Sequence, residues 1–184
     1  MPCINMTDLT FDVEPLYREL QNAPWNEIPF RTNFEGSPHR EVSDIWVRYN
    51  ALENYYRNPR TFNDEHESVW YPVVNVIPQA RLLTLALAAE LEAERIGAVL
   101  ITKIPPGGKV YPHVDPGWHA RYYEKFIIQV RGDRRQAFCF EGESLSALTG
   151  ECYWFDNQYL HWVDNDSDQD RISLIICLRR EQCH

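Results

Sequence analysis

The chain has 184 residues and a formal net charge of −9, and this length is typical of a single domain. Hydrophobic residues make up 44% of the sequence, enough for a packed core, which excludes a wholly disordered chain. The acidic balance argues against long nucleic acid as a partner, because a negative surface repels the phosphate backbone. We therefore expect residues 1–184 to form one domain.

The N-terminal residues Met1–Thr10 lack the basic stretch and following apolar stretch of a signal peptide. No apolar run in the chain reaches the length of a membrane span. The five cysteines are odd in number and include no Cys-x-x-Cys pair, which argues against a disulfide framework and against a structural zinc site. These features predict a cytoplasmic protein without a membrane partner.

Residues 1–97 are rich in proline, asparagine and aromatic residues, and we expect them to form a covering segment of short helices and loops. One helix is predicted within Phe11–Asn22. A longer helix is predicted over Gln79–Ile96, where leucine, alanine and glutamate are dense and Gly97 provides a stop. Aromatic residues of this segment, such as Trp46, can either cover the sheet or form a side wall of a site.

From residue 98 onward, short β-like runs alternate with turn residues, so residues 98–180 are predicted to form the core. Eight short strands joined by tight turns favour a mainly β fold, a two-sheet, cupin-like jelly roll with flanking N-terminal helices. The predicted strands are Ala98–Ile104, Lys109–Asp115, Lys125–Arg131, Gln136–Phe140, Leu145–Ala147, Glu151–Phe155, Tyr159–Asp164 and Arg171–Leu178.

Three side chains form a candidate metal site. His113 and Asp115 are two residues apart on a predicted strand and therefore point to the same face. His161 lies on a later predicted strand and supplies a third ligand. Two histidines and one carboxylate form the facial triad of non-haem iron(II) oxygenases, which leaves coordination positions open for reactants. A histidine on a strand can instead be a structural residue, so this spacing needs further support.

Arg171 supplies that support, because it begins the apolar last strand and is expected to face the interior. A buried guanidinium is costly unless it is paired. A keto diacid could be the partner, since its distal carboxylate can accept two parallel hydrogen bonds from one arginine. The alternative is an ordinary ion pair with an acidic side chain, for example one from Asp164–Asp170.

The second half of the chain resembles the aspartyl/asparaginyl β-hydroxylase-like branch of the 2-oxoglutarate-dependent oxygenases, over about residues 98–179. The resemblance implies a double-stranded β-helix, iron(II) held by the triad, O2, and 2-oxoglutarate whose distal carboxylate binds Arg171. The motifs that carry it are His113-Val114-Asp115, Gly150-Glu151 before Cys152–Asp156, His161-Trp162-Val163-Asp164-Asn165, and Arg171-Ile172-Ser173-Leu174.

Two departures from the family pattern bear on the site. Some relatives lack the carboxylate ligand, whereas Asp115 is present here, which favours a complete triad. Relatives often carry an Arg-x-His pair on the next strand, and its nearest counterpart here is Tyr123 with Lys125. Both could reach the carboxylates of the cosubstrate, although Lys125 could equally be a solvated strand end.

This resemblance implies a dioxygenase that oxidises a substrate C–H bond, a hydroxylase, with release of succinate and CO2. The substrate is expected to be a small molecule or a peptide side chain, with Trp118, His119 and Arg121 in a loop at the pocket rim. A nucleic-acid demethylase of the same superfamily is disfavoured by the net charge of −9 and the lack of a basic stripe, and two further alternatives remain open. One is a cupin-type metalloenzyme that does not use 2-oxoglutarate, and the other is a non-catalytic jelly-roll binding module.

Overall fold

The computed structural model describes residues 3–32 and 35–181, in which the elements are mostly β-strands. The helices are α1 Glu14–Leu20, α2 Leu52–Arg57, α3 Pro78–Glu90 and α4 Gly117–Tyr122. The strands are β1 Ile4–Thr10, β2 Ser43–Tyr49, β3 Val69–Trp70, β4 Ala93–Ile104, β5 Lys109–His113, β6 Glu124–Arg131, β7 Gln136–Phe140, β8 Glu143–Leu145, β9 Glu151–Phe155, β10 His161–Asn165 and β11 Arg171–Arg180.

The strands form two antiparallel sheets. The larger has seven strands in the order β1-β9-β6-β11-β4-β2-β3, and the smaller has four in the order β5-β10-β7-β8. One apolar cluster fills the space between the sheets, with Ile104, Ile127 and Phe138 among its members. A second packs α1 and α3 against the outer face of the larger sheet. This arrangement confirms the predicted mainly β jelly roll.

All eight strands predicted for the second half of the chain are present, as β4 to β11. Their boundaries shift in ways that matter for the site. The strand predicted over Lys109–Asp115 ends at His113, so Asp115 lies just beyond β5. The strand predicted over Tyr159–Asp164 begins at His161. Two of the three candidate metal ligands therefore occupy strand ends.

The helix predicted over Gln79–Ile96 is wrong at its C-terminal end. The helix ends at Glu90, and the chain reverses at Glu92, whose φ is +50°. Residues 93–96 extend β4 because the long strand β11 offers them backbone partners, and this pairing overrides local helix propensity. Gly97 is not a helix stop but allows a close approach, since a Cβ there would lie 2.9 Å from the His119 Nε2.

The expectation that residues 1–97 contain only helices and loops is also wrong. The helix within Phe11–Asn22 is present as α1, but β1, β2 and β3 join the larger sheet. Among the described residues, strand β1 pairs only with β9, and it exposes most of its residues. Its sequence therefore lacks the apolar alternation that marks a buried strand. No helix in the described part of the chain is long and apolar enough to cross a membrane.

Asn165 ties together the turns that flank the candidate site. Its side-chain amide donates to the backbone carbonyls of Ile104, Pro105 and Gln169, each at 2.8–2.9 Å. Its side-chain oxygen accepts hydrogen bonds from the backbone and hydroxyl of Ser167. The residue is 1% exposed, so these bonds replace water completely. Asn165 thus fixes how β10 leads into β11 and how β4 leads into β5.

We expect Asn165→Asp to destabilise the fold by about 3 kcal/mol, because it replaces the two buried N–H donors of the amide with a buried charge of nearly the same shape. Urea denaturation measures the change. Asn5→Asp is the matched control, since Asn5 is exposed on β1 and its replacement should change stability by less than about 0.5 kcal/mol. Equal effects of the two substitutions would contradict the role given to Asn165.

Candidate metal centre

Pairing of β5 with β10 brings two histidines face to face. His161 lies opposite His113 in this antiparallel ladder, and their ring centroids are 4.4 Å apart. Asp115 follows β5 and is held by a hydrogen bond from its backbone N–H to the carbonyl of Asn157, at 3.1 Å. The turn before β10 therefore positions the carboxylate beside both imidazoles.

One ligand atom from each of His113, Asp115 and His161 lies within 4.8 Å of the other two. The Nε2 atom of His113 is 3.7 Å from the Asp115 Oδ1, and the Nε2 atom of His161 is 3.9 Å from the Asp115 Oδ2. These separations suit atoms that share one cation, since ligands at about 2.1 Å from a metal lie about 3 Å apart in an octahedral shell. Asp115 also completes the ligand types of the facial triad.

Both histidines are oriented in the same way. The Nδ1 atom of His113 is 2.8 Å from the carbonyl oxygen of Tyr111, and that of His161 is 2.8 Å from the carbonyl oxygen of Tyr159. A carbonyl only accepts hydrogen bonds, so each Nδ1 carries the proton and donates it. Each Nε2 then holds a free lone pair directed away from that carbonyl. This second hydrogen bond is the usual support of a metal-binding histidine.

Burial and the neighbouring charges together keep the three groups in the protonation states that a metal requires. Burial lowers the pKa of His161 to about 4, against the pull of the Asp115 carboxylate, and it also lowers the pKa of His113. Burial raises the pKa of Asp115, but the nearby Lys125 and His161 outweigh it, and that pKa falls to about 2. At neutral pH the site therefore offers two neutral imidazoles and one carboxylate.

Lys125 points into this site from β6. Its ammonium forms an ion pair with the Oδ2 atom of Asp115, and its side chain is 16% exposed. It is therefore not a solvated strand end. The ion pair occupies one carboxylate oxygen and leaves the other free to bind a cation.

Arg171 faces the interior, as predicted, and is 4% exposed. One Nη donates to the hydroxyl of Ser173 at 2.7 Å and the other to the hydroxyl of Tyr153 at 2.8 Å. No carboxylate of the described residues lies within ion-pair distance of it. The alternative of an ion pair with Asp164–Asp170 is therefore wrong, and the buried cation is left without a counter-charge.

Two cavities meet at the three-residue cluster. The inner cavity is lined by Arg171, His161 and Lys125, and its other walls are mainly apolar side chains of both sheets. The outer cavity, of about 480 Å³, opens on the other side of Asp115 and has Trp46 among its walls. That volume lies within the range of small-molecule sites. The residues lining both cavities are Arg31, His39, His113, Asp115 and Lys125.

The remaining candidate residues lie outside the cluster. Tyr123 is buried against aromatic rings that include His119 and lines neither cavity. His119 borders the outer cavity, but its Nε2 accepts a hydrogen bond from the backbone of Ala98, and burial lowers its pKa to about 3. Trp118 and Arg121 lie on α4, a helix where we expected a loop, and line neither cavity.

Four residues near the site were missed in the sequence. Tyr153 and Ser173 could have been found from strand alternation, because Ser173 is two residues beyond Arg171 and Tyr153 is two residues before the buried Phe155. Arg31 and His39 lie in the segment between α1 and β2. That segment has no periodicity, so no local signal places them beside the metal ligands.

The model of the aspartyl/asparaginyl beta-hydroxylase family matches residues 72–181. No curated protein sequence matches the chain. An oxidoreductase of the 2OG-Fe(II) oxygenase family from Burkholderia pseudomallei shares the fold with a TM-score of 0.64 and 14% identity, over 97% of this chain and 86% of that one. Viral collagen prolyl hydroxylase from Paramecium Bursaria Chlorella virus-1, solved with 2OG, has a TM-score of 0.52 and 11% identity, over 98% and 97% of the chains.

We expect Arg171→Met to change the free energy of unfolding by less than about 1 kcal/mol, or to raise it. Removing an uncompensated buried charge offsets the loss of two hydrogen bonds. Arg31→Met is the matched comparison, because it leaves the fully buried Asp44 carboxylate without its partner and should cost about 3 kcal/mol. Denaturant unfolding of both variants tests this contrast, and a larger loss in the Arg171 variant would contradict it.

Proposed function

The chain belongs to the aspartyl/asparaginyl β-hydroxylase family, and from this we propose that it is an iron(II)- and 2-oxoglutarate-dependent dioxygenase. The proposed reaction hydroxylates a C–H bond of a small molecule or a peptide side chain and releases succinate and CO2. The observation that carries the proposal is the buried guanidinium of Arg171, which lacks a carboxylate partner among the described residues and shares a cavity with a His-Asp-His cluster.

The donor set fits iron(II). The Nε2 atoms of His113 and His161 and one oxygen of Asp115 would hold the metal from one side, because the two Nδ1 atoms are committed to backbone carbonyls. Three protein ligands leave open positions, unlike a closed structural site. When bound, iron(II) supplies the activation of O2, with 2-oxoglutarate as the co-reductant.

The diacid would bind through its distal carboxylate to Arg171. The guanidinium presents parallel N–H donors, which match a carboxylate in geometry and charge. Burial raises the pKa of Tyr153, against the effect of Arg171, so its phenol keeps a proton that it can donate to the same carboxylate. The distal carboxylate would thus give the unpaired guanidinium of Arg171 a counter-charge, in a buried and hydrogen-bonded ion pair.

Room for the diacid comes from movement of a lining side chain, since the inner cavity measures about 40 Å³. Lys125 is the flexible candidate, because it has four rotatable methylenes and holds Asp115 only by its ammonium. The apolar walls Ile127, Val163 and Ile175 exclude water from the reacting groups. Substrate would enter through the outer cavity, on the opposite side of the ligands from Arg171.

Anaerobic addition of iron(II) and 2-oxoglutarate to the protein should give the weak visible absorption band of a metal-chelated keto acid. His113→Ala and Asp115→Ala should lose the band because each removes a ligand. Arg171→Lys should retain it but weaken 2-oxoglutarate binding by roughly 10- to 100-fold, since it loses a paired hydrogen bond. Arg121→Ala is the control, because Arg121 is exposed on α4. Absence of the band in the wild-type protein would argue for a metalloenzyme that does not use the diacid.

Turnover is tested with pools of candidate substrates under iron(II), 2-oxoglutarate and O2. A true substrate should stimulate succinate formation and gain one oxygen atom by mass spectrometry. Asp115→Ala should lose both signals, because the remaining two imidazoles bind the cation too weakly. Unchanged succinate formation in this variant would contradict the three-ligand assignment.

A further inference from the structure

Arg31 and His39 form a second group of hydrogen-bond donors at the site. Both line the inner and outer cavities, as His113, Asp115 and Lys125 do. The ring of His39 meets the ring of His113 edge to face, with centroids 4.6 Å apart. Neither residue belongs to the cluster of His113, Asp115 and His161 or to the proposed binding site of the diacid at Arg171. The proposed reaction therefore leaves both without a role.

A buried carboxylate holds Arg31 in place. The Nε and one Nη of its guanidinium donate to the two oxygens of Asp44, at 2.7 and 3.0 Å, and the Asp44 side chain is 0% exposed. The other Nη lies 3.4 Å from the Nε2 atom of His39. A guanidinium has five N–H groups, so after these three contacts two remain for a ligand.

His39 carries a buried donor without an acceptor. A guanidinium can only donate, so the Nε2 atom that faces Arg31 must accept, and the ring proton of the neutral histidine lies on Nδ1. That Nδ1 is buried and has no hydrogen-bond partner among the described residues, and the residue is 8% exposed. A buried donor in this state costs about 1–3 kcal/mol, which an oxygen ligand would recover.

We propose that Arg31 and His39 bind a carboxylate of the substrate that is hydroxylated. The substrate would then be a small carboxylic acid with an apolar body. This inference rests on the proposed function and assigns the substrate class of the same site. The two free N–H groups of Arg31 would donate to the two carboxylate oxygens, and the unpartnered Nδ1–H of His39 is a further donor at the same two cavities. The other walls of the outer cavity favour the apolar body, because they include Trp46 and Leu100.

Charge separates this subsite from the one proposed for 2-oxoglutarate. Arg171 has no carboxylate partner among the described residues and offers a full positive charge to a diacid. Arg31 is already paired with Asp44, so its subsite selects a carboxylate by its free N–H donors more than by net charge. The two arginines therefore suit different carboxylates, and Arg31 suits the one whose position decides which C–H bond lies near the metal.

The test uses protein loaded with zinc(II) and 2-oxoglutarate, which binds both partners without turnover. Propionate and benzoate are titrated in, each against its primary amide, and the ring N–H signals of His39 are followed by NMR. Each acid should bind at least about tenfold more tightly than its amide, equivalent to about 1.4 kcal/mol. Binding should also shift the Nδ1–H signal of His39 downfield, as a new hydrogen bond requires.

Three variants and one control distinguish a loss of ligand binding at this subsite from a general loss of stability. Arg31→Gln with Asp44→Asn removes both charges together and leaves neither one unpaired, and it should abolish the preference for acid over amide. His39→Asn keeps a donor near the Nδ1 position and should retain part of the preference, whereas His39→Gln should lose it. Arg40→Gln is the matched control, because Arg40 lies in the same segment, is exposed and lines neither cavity.

Equal affinity for acid and amide, no saturable binding of either acid, or an unchanged preference in the double variant would overturn the proposal. Binding of 2-oxoglutarate to the same loaded protein is measured first. If the diacid binds and the acids do not, this subsite is wrong and the proposed function stands. If the diacid fails to bind, the proposed function is wrong, and the acid titration is repeated with zinc(II) alone, which still decides the role of Arg31 and His39.

Discussion

The antiparallel pairing of β5 with β10 is the contact on which the site depends. It sets His161 opposite His113 in the ladder, and each imidazole donates its Nδ1 proton to the carbonyl oxygen two residues before it. The backbone thus determines both where the rings lie and which nitrogen is free. A one-residue slip of this pairing would turn one histidine to the other face of the sheet and separate the three candidate metal ligands without unfolding the jelly roll.

The buried guanidinium of Arg171 destabilises the fold, and neighbouring side chains reduce that cost. This guanidinium is buried without a counter-charge among the described residues, and the cost is reduced by the hydroxyls of Tyr153 and Ser173. Ser173 in turn donates to Gln129 at 3.3 Å, so a hydrogen-bond chain crosses three neighbouring strands of the larger sheet. Such a chain holds the cation rigid before any ligand arrives, which is the condition for tight binding of a flexible diacid.

Sequence patterns predict most of the second half of the fold, because β4 to β11 are short apolar runs rich in β-branched and aromatic residues between clear turns. The three candidate metal ligands could be found from the same strand pattern, since two of them flank one strand end and the third begins another. The edge strand β1 is mostly exposed and carries little periodicity, so its pairing with β9 is visible only in three dimensions. Arg31 and His39 were hidden because tertiary contacts alone bring their irregular segment to the metal ligands.

The two halves of the proposed cosubstrate site belong to different sheets. The histidines lie on the four-stranded sheet, and Arg171 lies on β11 of the seven-stranded sheet. Side chains such as Ile127 and Phe138 fill the space between the sheets and set the separation. If the proposed site binds a keto diacid, the thickness of the sandwich would limit the length of that diacid: a dicarboxylate one methylene shorter or longer would not reach the metal ligands and the guanidinium together. Selectivity among keto diacids would then reside in the apolar filling between the sheets, some distance from any polar contact.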